Sequence, residues 1–285
     1  MKRVCLSGAT GFVGSHFKQW IENKGWEVIP IARKDFSLGT AHLRDLIQGS
    51  EAIVHLAGAP IARRWNARVK RELRDSRILT TRALREAIAQ CSLPPRVFVS
   101  ASAVGIYEGI GIHDEKSTAL AEDFLGRLCI DWEAEAQGAR DFTRVVNPRI
   151  GLVLGKNGGL LARQLPLFKF GLGGPIGHGK QGFPFIHIDD LCEALVFIIE
   201  NPSMSGPVNL VAPQLINQRT FARTLGKLLH RPAFLPVPAF ALYLMFGEGA
   251  EAILSGQYVK PAVLLEVDFK FKYTDISDAL KSILF

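Results

Sequence analysis

Residues Ser7-Gly8-Ala9-Thr10-Gly11-Phe12-Val13-Gly14 follow a short apolar run, Val4-Cys5-Leu6, and open a helical stretch that reaches Asn23. The spacing Gly8-x-x-Gly11-x-x-Gly14 has a mechanical reading. It gives a tight turn, a close backbone approach to phosphate, then close packing of helix on strand, with the first helix amides facing the anion. A glycine triplet alone is a weak signal. Its place near the start of the sequence, after a strand and before a helix, makes it the first βα turn expected of a dinucleotide-binding domain. Gly8, Thr10, Gly11, Phe12, Val13 and Gly14 are the cofactor contacts that this reading assigns.

Outward from that turn, apolar strand-like runs alternate with amphipathic helical ones. Val4–Leu6, Glu27–Ile31, Ala52–Leu56, Arg96–Ser100 and Thr143–Val146 running on to Ile150 read as strands. Ser15–Asn23, Asn66–Gln90 and Asp123–Ala139 read as helices. This order predicts an α/β fold, a doubly wound parallel sheet of Rossmann type. A helix at Leu191–Glu200 and a strand at Pro207–Val211 return to the sheet, so the two domains interleave. Residues 1–170 form the nucleotide-binding domain, rejoined by the segment near 186–211, and 171–285 form a smaller, mostly helical substrate domain. The glycine-rich stretch Gly171 to Gly182, with His178, Lys180 and Gln181, reads as a loop facing substrate.

The 285 residues are 48% hydrophobic and 21% charged, ordinary for a globular protein, with no long apolar run and no cleavable signal pattern. A cytoplasmic protein with no membrane partner is expected. Cys5, Cys91, Cys129 and Cys192 lack metal-ligand spacing, so reduced thiols are expected, with neither a metal site nor disulfides. His187, Asp189 and Asp190 read as a helix start rather than a metal cluster. The net charge of +7 is concentrated at Arg63, Arg64, Arg68, Lys70, Arg71, Arg74 and Arg77. That face is either solvated or an electropositive wall for a phosphorylated cofactor or acidic substrate. Nucleic acid ranks below both, because no recognition signature accompanies the charge.

The end of the second strand normally carries an acid for the NAD ribose or a base for the NADP phosphate. Here it reads Ala32-Arg33-Lys34. A guanidinium binds a 2′-phosphate through charge-assisted hydrogen bonds where a carboxylate would repel it. Ala32 and Arg33 therefore point to NADP(H), with Asp35 close enough to complicate the assignment.

Several stretches then carry a likeness. They are the glycine turn, Val54-His55-Leu56-Ala57-Gly58, Val97-Phe98-Val99-Ser100-Ala101-Ser102, Arg149-Ile150-Gly151-Leu152-Val153-Leu154-Gly155 and Phe185-Ile186-His187-Ile188-Asp189-Asp190. In this order they resemble the extended short-chain dehydrogenase/reductases, which include nucleotide-sugar epimerases and dehydratases. The resemblance implies cofactor contacts at Leu56, Ala57, Gly58, Ser100 and Val153, and a catalytic serine at Ser102, with Ser100 as the alternative. It also implies a Tyr-x-x-x-Lys pair on the next helix, and the helix after Ser102 holds no tyrosine. Leu125 and Cys129 fall at the two positions, and Arg77 falls where that superfamily has an asparagine. Together with Asp75-Ser76-Arg77, Asp131-Trp132-Glu133 and the Leu172–Pro175 loop, this resembles the atypical epimerase family of YfcH type, whose C-terminal domain of unknown function corresponds to roughly Leu235–Lys281.

The resemblance implies an epimerase or oxidoreductase of unknown substrate; the alternative is an idle NADP(H) sensor or scaffold. The catalytic candidates are Ser102, which would orient a substrate oxygen, Tyr107, which would replace the absent acid from above the pocket, and Cys129, which would act only as thiolate. Arg77 is placed near the nicotinamide ribose, and Glu72 on the same helix is assigned to Arg77 or a ribose hydroxyl. A small polar substrate is expected. By resemblance, the helices Asn66–Gln90 and Asp123–Ala139 would form a homodimer surface.

Overall fold

The computed structural model describes residues 2–285. Its first half runs β1 (Arg3–Ser7), α1 (Phe12–Asn23), β2 (Glu27–Ile31), α2 (Thr40–Ile47), β3 (Ala52–His55), α3 (Ala67–Ala89) and β4 (Val97–Ser100). After these come the short β5 (Ser102–Ala103) and β6 (Ile112–His113), then α4 (Phe124–Gln137), β7 (Arg144–Ile150) and β8 (Leu152–Leu154). The remainder runs α5 (Gly159–Lys169), β9 (Phe185–His187), α6 (Ile188–Glu200), β10 (Gly206–Leu210), α7 (Gln218–Leu228), α8 (Ala239–Phe246), α9 (Glu251–Leu254), β11 (Tyr258–Val259), α10 (Ala262–Glu266) and α11 (Ile276–Leu284).

The main sheet is parallel, in the order β10-β7-β4-β3-β1-β2, with β5 also paired to β7. Successive strand residues face opposite sides. Val4, Leu6, Val97 and Val99 join Phe17 and Ile21 of α1 and Leu195 and Ile198 of α6 in one core. Cys5 and Phe98 join Leu43, Ile47, Leu84 and Ile88 of α2 and α3 in the other. Both faces are thus covered, as a parallel sheet of apolar strands requires. The strand order reverses between β1 and β3, and a ligand crevice opens there at the carboxyl ends of the strands.

The return to the sheet has a visible cause. Arg144 at the start of β7 donates to the carbonyls of Ile198, Ile199 and Met204, satisfying the last turn of α6 before β10 begins. A third core, with Phe183, Phe185, Phe221, Leu225, Ile276 and Leu280, lies among β9, α7 and α11. Two helices lie outside the sequence reading, α2 and α5; Pro166 inside α5 and Gly159 at its start mask its helical character.

The helix start at Ile188 is capped by His187, whose Nδ1 accepts from the Asp189 amide at 3.1 Å. Asp190 accepts from the amides of Lys272 and Tyr273 at 2.8 and 2.9 Å, tying the segment before α11 to the first turn of α6. The four cysteines are free thiols.

Candidate active site

Gly8 adopts φ +76°, and a Cβ there would stand 2.8 Å from the Leu56 carbonyl carbon. A Cβ on Gly14 would overlap the Gly8 carbonyl oxygen, so the third glycine packs helix on turn. Gly11, the residue before α1, has open space apart from that same carbonyl at 3.3 Å, and no side chain caps the helix. The amides of the first turn of α1 therefore stay available to an anion. Phe12 contributes backbone; its ring fills a notch at Gly155 and Gly158.

At the end of β2, Asp35 turns inward. Its carboxylate accepts from the Ala32 amide at 2.7 Å and pairs with His42 at 3.1 Å. Burial opposes its ionisation, but those bonds outweigh it and hold the carboxyl below its usual range. Ala32, Arg33 and Lys34 are exposed, and neither cation has a carboxylate partner among the described residues.

Beyond the turn lies a cavity of about 360 Å³. Val13 and Leu56 bring the glycine turn and the end of β3 into its wall; Ser102, Leu125, Cys129, Trp132 and Arg77 form the rest of the part that matters. Leu125, Cys129 and Trp132 share one face of α4 because they are spaced four and three apart. Arg77 is buried, its guanidinium over the Trp132 ring at 5.3 Å and bonded to the carbonyls of Leu73 and Ala59. Among the described residues it has no carboxylate partner. A Cβ at Gly58 would come within 2.9 Å of its Cζ, so glycine lets the guanidinium lie against the strand end.

Ser102 Oγ donates to Glu133 Oε1 at 2.6 Å. Arg149 clamps both oxygens of Glu133, from Nε and Nη2, each at 2.8 Å, in a two-pronged contact. Arg149 Nη1 donates to Tyr107 Oη at 2.7 Å, and Tyr107 donates to Asn209 at 2.9 Å. The Glu133–Arg149 clamp was missed in the sequence. Its signal was an arginine inside an apolar strand and a glutamate one turn past Cys129 on the cavity face of α4.

Several sequence assignments need correction. Tyr107 does not stand over the cavity: it is fully buried, stacked on His113 at 5.2 Å, and burial raises its hydroxyl pKa despite Arg149. Cys129 lines the cavity, but burial and Glu133 push its thiol up to about 12, so it is no thiolate at neutral pH. Glu72 is exposed and pairs with Arg63 at 2.9 Å, away from Arg77. Ser100 is buried with an unpartnered Oγ, leaving Ser102 as the serine at the cavity. Val153 needs no such correction: it sits half-buried in β8, paired with Ile186. Part of the basic stretch is taken up within the chain: Lys70 pairs with Glu248, Arg74 with Asp131, and Arg64 reaches the Leu244 carbonyl, while Arg68 and Arg71 stay exposed. The Gly171–Gly182 loop lines a different groove, pinned through Gly177 and Pro175 to Val237.

His55 adds a buried strut behind the cavity. It bonds Ser7 through Nδ1 and Thr80 through Nε2, and burial with Arg77 nearby takes its pKa down to about 3. Among the described residues no group of three or more His, Cys, Asp or Glu could hold a metal, and no helix is long and apolar enough to cross a membrane.

The chain is similar to the epimerase family protein SDR39U1 homolog, chloroplastic, of Arabidopsis thaliana, 38% identical and covering 99% of this chain and 86% of that protein. It is also 38% identical to the epimerase family protein SDR39U1 of Bos taurus, covering 99% of each. The crystal structure of human SDR39U1 (isoform 2) with NADPH superposes with a TM-score of 0.91 at 35% identity, covering 99% of this chain and 98% of that one. Residues 237–283 match a domain of unknown function, DUF1731. Residues 4–211 match the NAD dependent epimerase/dehydratase family, and the chain belongs to that family.

Proposed function

We propose that this chain binds NADP(H) across the crevice between β1 and β3 and acts on a small polar substrate as an oxidoreductase or epimerase that works without a Tyr-x-x-x-Lys pair. One observation carries the reading: Ser102, oriented by Glu133, lines the same cavity as Val13 and Leu56, so the dinucleotide cradle and the polar site are continuous. The inward turn of Asp35 supports the choice of NADP(H), since it leaves Arg33 for the 2′-phosphate. The human relative crystallised with NADPH supports it too. The Gly8–Gly14 amides would hold the pyrophosphate, the Leu56-Ala57-Gly58 backbone and Val153 would line the dinucleotide, and Arg77 would lie beside the nicotinamide ribose. A bound nicotinamide supplies hydride exchange at a carbon bearing oxygen.

The chain's own contribution centres on Ser102. Its proton points at Glu133, so its oxygen offers lone pairs and accepts from a substrate hydroxyl. Leu125 and Cys129 occupy the positions of the usual pair and give an apolar wall that excludes water without supplying a base. Ser102 with Glu133 is then the route by which a substrate proton leaves. The same apolar wall favours a second reading, an NADP(H) sensor without turnover. The exposed Leu79 and Ile130 on α3 and α4 support a homodimer along those helices.

The test is purified protein with NADPH and a panel of carbonyl compounds and sugar nucleotides, followed by loss of reduced-nicotinamide absorbance. Turnover is expected with at least one compound, falling on the order of 10²-fold or more in Ser102→Ala. No oxidation across the panel, together with no epimerised product from the sugar nucleotides incubated with NADP+, supports the sensor and sinks the enzyme reading.

A further inference from the structure

Arg77 reaches the active-site cavity from α3 and, among the described residues, is the one charged side chain in its wall. It is 8% exposed, with guanidinium donors on the Leu73 and Ala59 carbonyls and its charge over the Trp132 ring. None of these contacts carries a negative charge. Glu133, the carboxylate behind Ser102, is held on both oxygens by Arg149, so that pair cancels and Arg77 is left over. The surplus is felt by its neighbours: it helps to keep His55 neutral and draws the Cys129 thiol down against burial. A buried cation without a counter-ion costs folding free energy. One that lines a cavity can recover that cost from an anion bound there.

The dinucleotide does not bring that anion. Its phosphates belong to the glycine turn and to Arg33, and a ribose beside Arg77 offers hydroxyls, which accept hydrogen bonds but carry no charge. Charge balance limits what else can fill the place. One guanidinium among Leu56, Ile61, Leu125, Leu128 and Ile150 neutralises a monoanion, whereas a phosphate dianion would leave a second charge unpaired against the same apolar wall. A carboxylate is a monoanion whose two oxygens match the guanidinium fork. Cys129 neighbours both Arg77 and the Ser102 hydroxyl, so one small molecule spans the two.

We infer, resting on the NADP(H) reading of this crevice, that the substrate is a small hydroxy acid, with its carboxylate on Arg77 and its hydroxyl donating to Ser102. The substrate is then anionic as well as polar, and Arg77 selects it against neutral analogues of the same shape.

The test is intrinsic tryptophan fluorescence of the full chain saturated with NADP+, with Trp132 as the reporter in the cavity wall. The probes are glycolate, lactate, glycerate and 3-hydroxybutyrate, each titrated beside its amide. At least one acid is expected to bind with Kd of about 1 mM or tighter, and its neutral amide at least about tenfold more weakly. Arg77→Met should bring acid and amide to equal affinity and leave the urea midpoint unchanged or higher, because it removes an uncompensated buried charge. Arg77→Lys should keep a preference for the acid. Acids that bind no better than their amides across the panel overturn the inference, as does a preference that survives in Arg77→Met. A lower urea midpoint in Arg77→Met overturns it too, since the chain's own contacts would then satisfy the cation. An intact acid preference without turnover would sink the enzyme reading alone. Failure of NADP+ to saturate the chain counts against the cofactor reading instead, and the same titrations of the nucleotide-free chain then decide whether Arg77 selects acids.

Discussion

Arg33 shows how much a single side chain decides and how its neighbour sets its meaning. In the sequence, Asp35 two residues on leaves the local charge ambiguous. The folded chain spends that carboxylate on the Ala32 amide and His42, and the cation stands alone. Arg33→Ala should therefore weaken NADPH about tenfold or more, the loss of one or two charge-assisted hydrogen bonds, while NADH affinity changes little. Parallel titrations of both nucleotides measure this; equal losses would show that Arg33 does not read the 2′-phosphate. Ser102 was legible by motif, but its orientation was not, because Glu133 and Arg149 reach it from α4 and β7, 31 and 47 positions away. Tyr107 failed for a related reason. Five residues past Ser102 puts it near the cavity in sequence, yet the short helical turn at Val104–Ile106 swings its ring into the pocket of Asn209 and His113.

At the scale of elements, the β1–α1 turn is legible because local steric needs write it into residue type. Its three glycines answer to different constraints, and they should tolerate substitution differently. Gly14→Ala drives a Cβ into the Gly8 backbone carbonyl, where neither partner has room to move, and should cost about 3 kcal/mol or more together with NADPH binding. Gly11→Ala meets only one atom, at 3.3 Å, with φ −76°, and should fold within about 1 kcal/mol of the parent. Urea unfolding of both variants checks the contrast; similar losses would mean that the turn is governed by something other than this packing. The basic stretch of α3 was only half legible. Its charge is plain in the sequence, but Glu248 and Asp131, which consume part of it, come from the C-terminal segment and from α4.

For the whole molecule, two buried histidines couple folding to pH. His55 is held neutral down to about 3 by burial and Arg77, and His187 down to about 4 by burial and Lys272 against the pull of Asp189. Both therefore bind a proton in the unfolded chain, near pH 6.5, well before the folded one. Stability is greatest above that value and is lost on acidification, by about 2 kcal/mol per histidine at pH 5. Asp190 and Glu115, whose carboxyls are raised by burial, work in the opposite sense. Unfolding free energies at about pH 7 and pH 5 should differ less in His55→Asn by roughly that one-histidine amount; an unchanged difference would show that His55 is not held neutral. Both histidines lie at seams, His55 between β1, β3 and α3 and His187 between α6 and α11, so the acid-sensitive points are also where elements meet. By itself the sequence determined the parallel sheet, the dinucleotide turn and the base at Arg33, because apolar periodicity, glycine sterics and charge act over a few residues. Only the tertiary structure decided which serine faces the cavity, that Glu133 and Arg149 orient it, that Tyr107 and Glu72 stand apart, and that the glycine-rich loop walls a different groove. Those outcomes depend on contacts between residues far apart in the chain, where burial and partner geometry, which residue type does not encode, set the result.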